Sequence, residues 1–121
     1  MAIRALVADD SSTMRKIIVR SLEAVGVTGA VEANDGNEAL ANFKPGGFDL
    51  VLTDWNMPGK NGLEVVQGIR AQDKDVKIVM VTTEAEKSRV VQAIEAGVSD
   101  YLVKPFTADA LKEKLEKMGL T

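Results

Sequence analysis

The feature that most constrains this chain is an alternation repeated five times. Short runs rich in Val, Ile and Leu give way to longer segments whose apolar residues recur every three or four positions. The short runs cover residues 3–8, 30–33, 50–53, 77–82 and 101–103. They lack the in/out alternation of a half-exposed strand, as expected for parallel strands covered on both faces. The longer segments read as amphipathic helices. Met14, Ile17, Ile18, Leu22 and Val25 mark the first, with Ser11 or Ser12 as its cap and Gly26 as its end. Residues 37–43 form a shorter second helix between the Asp35-Gly36 turn and the Pro45-Gly46-Gly47 break. Leu63, Val66 and Ile69 mark a third, and Val90, Val91 and Ile94 a fourth, closed by Gly97. Ala110, Leu111, Leu115 and Met118 mark a fifth. Five strand–helix units in strict order predict a doubly wound α/β fold: one five-stranded parallel sheet with five helices on its two faces.

In such folds ligands bind beyond the carboxyl ends of the strands. Those ends carry Asp9 and Asp10, then Asp54, then Thr82, and finally Lys104-Pro105. Taken singly, each residue has an ordinary structural explanation. Asp10 suits a helix cap, Asp54 a turn, Thr82 a strand end and Lys104 a solvated charge. Together they place three carboxylates, a hydroxyl and an ammonium on one rim.

That set matches one chemistry. Clustered carboxylates repel unless a cation intervenes. The chain has no Cys and no His, so any metal site must be built from oxygen, which points to Mg²⁺, Ca²⁺ or Mn²⁺, and Mg²⁺ suits a carboxylate cluster. An aspartate such as Asp54 can attack phosphorus and form an aspartyl phosphate. Mg²⁺, Lys104 and the Thr82 hydroxyl would then each meet one of the transferring oxygens. Neither nucleotide-binding glycine motif is present, so the donor is expected to be a phosphorylated side chain or a small acyl phosphate. The formal net charge of −3 argues against nucleic acid as a partner. The apolar runs are too short to span a membrane, and residues 1–10 lack a signal-peptide layout, so a cytoplasmic protein is expected.

Asp9-Asp10, Asp54 followed by Trp-Asn-Met-Pro, Thr82 and Lys104-Pro105 together resemble the response-regulator receiver domain. The likeness spans essentially the whole chain, read as one receiver domain over residues 1–121 and a monomer. The runs 10–15, 54–58, 84–87 and 101–107 are most similar to stand-alone chemotaxis regulators of the CheY type. The resemblance implies a flavodoxin-like sheet of order 2-1-3-4-5. It implies that Asp54 is the phospho-acceptor and that Asp10, Asp54 and the Asn56 carbonyl hold Mg²⁺, with Asp9 assisting through water. Thr82 and Tyr101 would be a coupled switch pair, and the Lys104–Pro105 bond would be cis. Asn56 and Glu84 would flank the water that removes the phosphoryl group. The output surface would include Lys87, Val90, Ile94, Tyr101, Val103, Lys114 and Lys117. The implied partners are a histidine kinase, a flagellar motor switch protein and a dedicated phosphatase. Such a protein is an acceptor that catalyses its own phosphorylation and dephosphorylation, not an enzyme with turnover on a separate substrate. One residue departs from the pattern: Thr83 stands where Ala or Gly is usual, which bears on access to the site.

Three other readings compete. A phosphorelay intermediate or phosphate sink would share the site. An aspartyl-nucleophile phosphohydrolase would want a second Asp two residues after the nucleophile, where this chain has Asn56. A flavodoxin-like electron carrier would want a Ser/Thr/Gly loop after the first strand, where acids stand.

Overall fold

The computed structural model describes residues 3–83, 87–104 and 106–120, and for Lys87 the backbone alone. Glu84 and the bond to Pro105 therefore lie outside the described residues, as does the Lys87 side chain. The elements run β1 (Ala5–Ala8), α1 (Ser12–Ala24), β2 (Val31–Ala33), α2 (Gly36–Asn42), β3 (Leu50–Asp54), α3 (Gly62–Arg70), β4 (Lys77–Thr82), α4 (Lys87–Ala96), β5 (Asp100–Val103) and α5 (Ala108–Lys117). All five strands are parallel, in the order β2-β1-β3-β4-β5.

The three central strands β1, β3 and β4 are almost wholly apolar because each of their faces meets a core. Leu6, Val51, Ile78 and Met80 point into one, where α2 and α3 add Ala39, Val65, Val66 and Ile69. Val7, Leu50, Leu52, Val79 and Val81 point into the other, closed by Ile18 and Leu22 of α1 and by Leu111 and Leu115 of α5. Successive strand residues thus alternate between two cores, not between core and water.

Side-chain caps open four of the helices. Ser11, Asp35, Asn61 and Thr107 each accept a hydrogen bond from a backbone N–H in the first turn of α1, α2, α3 and α5. Asn61 and Glu64 complete a reciprocal capping box. Gly26 follows α1 at φ 91°, a conformation that costs a side-chain-bearing residue strain.

In the fourth helix Val91 is 43% and Ile94 60% exposed, as suits Ile94's expected place on the output surface. The residue that enters the core is Ala93, fully buried. Val90 is half-buried, so Val91 and Ile94 are the large apolar residues of α4 left outside. Among the described residues, no helix is long and apolar enough to cross a membrane.

Candidate functional site

Strand register builds the site. Ala8 pairs with Thr53, so Asp9 and Asp54 emerge side by side as β1 and β3 end. Asp54 pairs with Val81, which puts Thr82 one step further along the same rim. Thr82 pairs with Val103, so Lys104 follows immediately, and its backbone N–H donates to the Thr82 carbonyl at 2.8 Å. A parallel sheet therefore gathers these residues from distant parts of the chain.

Carboxylate oxygens of Asp9, Asp10 and Asp54 lie within 4.8 Å of one another. Asp9 is 1% and Asp54 8% exposed, whereas Asp10 faces solvent. The Lys104 ammonium is almost as buried, lying 2.9 Å from Asp9 Oδ2 and 3.4 Å from Asp54 Oδ2. The second Asp54 oxygen, Oδ1, accepts from the Trp55 N–H at 2.8 Å. Burial pushes the Asp54 carboxyl above its ordinary range; Lys104 pulls it back, and the Asp9 charge pushes it up again. Three carboxylates against one ammonium leave an excess of negative charge. An all-oxygen donor set with that excess fits a hard divalent cation and no soft metal.

An open cleft of about 430 Å³ adjoins the cluster, lined by Asp10, Trp55, Asn56, Met57, Asn61 and Arg89. Arg89, from the first turn of α4, lies over the Trp55 ring at 5.2 Å. A hollow of about 500 Å³ lined by Arg4, Asp49, Asp73 and Lys77 lies at the opposite, amino ends of the strands. It gathers none of the rim residues.

Thr82 is buried, and Tyr101 is half-buried against the core that α2 and α3 share with the sheet. Tyr101 pairs with Met80 and Val103 with Thr82, so the four side chains occupy one face of the sheet. Lys114 is tied to Asp100 at 3.1 Å, whereas Lys117 is exposed. Thr83 is exposed beside the rim.

The response regulator receiver domain matches residues 5–116. The chain belongs to that family. The receiver domain is 46% identical to the chemotaxis protein CheY of Pseudomonas aeruginosa over 117 residues, 95% of this chain and 94% of that protein. It is equally similar to CheY-3 of Vibrio cholerae, covering 95% of this chain and 90% of that one. Its fold superposes on the solved structure of Vibrio cholerae CheY4 with a TM-score of 0.86 at 32% identity, covering 98% and 99% of the two chains. The Francisella response regulator 1452 receiver domain gives a TM-score of 0.82 at 27% identity, covering 96% and 95%.

Sequence reasoning missed three residues that shape this receiver site. Gly62 starts α3 directly against β3, where a Cβ would collide with the Asp54 carbonyl; its N–H donates to the Trp55 carbonyl at 2.8 Å. Neither Arg89 nor Arg15 gains a role from sequence, although Arg15 closes the run 10–15 that carries the resemblance. Gly62 did leave a signal, since a glycine at a helix start after Asn61 marks a close approach of backbone.

Proposed function

We infer that this receiver domain accepts a phosphoryl group on Asp54 from a histidine kinase and answers by changing the partner surface of α4, β5 and α5. The observation that carries the reading is the meeting of Asp9, Asp10 and Asp54 within 4.8 Å around the buried Lys104 ammonium. Asp10, Asp54 and the Asn56 carbonyl, with Asp9 through water, are the groups that would hold Mg²⁺. When bound, Mg²⁺ supplies positive charge to the transferring phosphoryl oxygens.

The residues of the chain do the rest. An Asp54 carboxylate oxygen forms the new bond to phosphorus as the bond to the donor imidazole nitrogen breaks. That nitrogen keeps the bonding pair, and because the other ring nitrogen carries a proton, the donor leaves as a neutral imidazole. Lys104 meets the charge that arrives, and the Thr82 hydroxyl donates to a phosphoryl oxygen. The phosphoryl group brings roughly −1.5 to −2 charge at neutral pH. Movement of Thr82 toward it frees space on the sheet face shared with Tyr101, whose ring turns inward and resets the surface. Asn56 and Glu84 flank the water that later removes the group, and Thr83 narrows its approach.

The output surface takes in Lys87, Val90, Ile94, Tyr101, Val103, Lys114 and Lys117. Ile94 at 60% and Val103 at 40% exposure support a face that a protein covers in its bound state. The chemotaxis relatives favour a flagellar motor switch protein as that partner, with a dedicated phosphatase acting on the same site. The domain spans residues 1–121 and works as a cytoplasmic monomer, without nucleic acid or membrane. Beryllofluoride with Mg²⁺ should strengthen binding to a purified motor switch protein in the wild type and not in Asp54→Asn. The phosphorylated form should decay without help; a form that lasts for hours in Mg²⁺ would sink the dephosphorylation roles.

A further inference from the structure

Every polar group of Asp9 is committed. Its N–H donates to the Ala33 carbonyl at 3.1 Å. Its Oδ1 accepts from the Ser11 N–H at 2.9 Å, and its Oδ2 faces Lys104 at 2.9 Å. Its carbonyl oxygen accepts from Arg15 Nη1 at 2.7 Å, the shortest of the four. The same nitrogen donates to Asn34 Oδ1 at 2.9 Å, and Arg15 Nε donates to Glu32 Oε1 at 3.1 Å. One guanidinium, only 14% exposed, thus ties the end of β1 to the end of β2. Asp10 is different. It faces solvent, and its place depends on the peptide it shares with Asp9, whose oxygen Arg15 holds.

We propose that Arg15 is a positioning residue for the acidic cluster: its brace across Asp9, Asn34 and Glu32 fixes the peptide that aims the Asp10 carboxylate at the cation. This rests on the reading of Asp9, Asp10 and Asp54 as a Mg²⁺ site. Arg suits the task because its planar fork reaches several acceptors at fixed angles, where Lys offers a point charge.

Charge and geometry pull in opposite directions here. Arg15 is a cation close behind three carboxylates, so by Coulomb's law alone its removal should tighten binding of a divalent cation. If Arg15 acts by orienting, its removal should weaken binding, and loss of such outer partners typically costs roughly 10- to 100-fold in metal affinity. The sign of the change separates the two.

The experiment is a Mg²⁺ titration of the full chain, read by Trp55 fluorescence, on wild type, Arg15→Ala, Arg15→Lys and Glu32→Gln. Arg4→Ala, which removes an exposed ion pair with Asp49, is the control. The brace requires weaker binding in Arg15→Ala, by roughly tenfold or more. It requires weaker binding in Arg15→Lys although the charge is kept, a smaller loss in Glu32→Gln, and none in Arg4→Ala. Unchanged or tighter binding in Arg15→Ala overturns it. Hydrogen exchange at the Asp9 amide, measured without metal, should quicken in Arg15→Ala and Arg15→Lys; unchanged protection also overturns it. If the wild type shows no response to Mg²⁺, the metal reading falls and the exchange result alone decides the brace. If Arg15→Ala does not fold, weaker binding in the charge-preserving Arg15→Lys supports the brace, and unchanged or tighter binding there overturns it.

Discussion

At the scale of single residues, Asp54 is held in surroundings that favour its neutral form. Burial raises its proton affinity more than Lys104 at 3.4 Å lowers it. A carboxyl whose proton is bound more tightly in the folded state stabilises the fold below its ordinary range. That contribution is lost as pH rises through the raised folded value. In metal-free buffer at neutral pH, Asp54→Asn should therefore be more stable than wild type, with the gain fading as the buffer is made acidic. Urea denaturation across pH checks this; a variant less stable at neutral pH would mean that the Lys104 attraction outweighs burial. Gly62 makes the opposite case. Gly62→Ala drives a methyl into the Asp54 carbonyl, so it should cost about 1–3 kcal/mol and slow phosphorylation. Equal stability and equal rate would show that the start of α3 yields easily. The rim residues themselves were legible in sequence, because acids and a lysine at strand ends are odd enough to notice. Their supports were not. Arg15, Gly62 and Arg89 act through contacts with β2, β3 and Trp55, which only the folded chain brings within reach.

At the scale of elements, caps and register decide the geometry. The Asn61–Glu64 box starts α3 just beyond the cleft, and Asn61 also lines it. Asn61→Ala should cost about 1 kcal/mol through the lost cap. Denaturant midpoints check this, and no change would mean that Gly62 packing alone holds the turn. The starts of α1 and α2 and the end of α1 were legible because Ser11, Asp35 and Gly26 act locally. The orientation of α4 was less legible. Its apolar spacing marked a helix without saying which residue faces inward; Ala93 takes that position and leaves Ile94 outside. Ile94→Asp should therefore change stability by no more than about 0.5 kcal/mol, as for other exposed sites, while weakening partner binding. A large loss of stability would show that Ile94 supports the fold.

At the scale of the whole molecule, the sheet joins residues that the sequence keeps far apart. The Lys104–Asp9 ion pair spans 95 positions, and no local pattern announces it. The parallel sheet itself was legible from the alternation of runs. Its strand order came from family resemblance, since spacing does not say that β2 lies at an edge. Cation binding should also be felt globally. Mg²⁺ at a hundred times its dissociation constant should raise the unfolding free energy by about 2.7 kcal/mol, and Asp10→Asn should lose most of that gain. Denaturation with and without Mg²⁺ tests it, and equal gains in both proteins would place the ion elsewhere. The most direct test of the central claim is intact mass after incubation with Mg²⁺ and acetyl phosphate, for wild type and Asp54→Asn. The account requires one phosphoryl adduct on the wild type, absent without Mg²⁺ and absent from the variant. No adduct on the wild type, or the same adduct on Asp54→Asn, would contradict it.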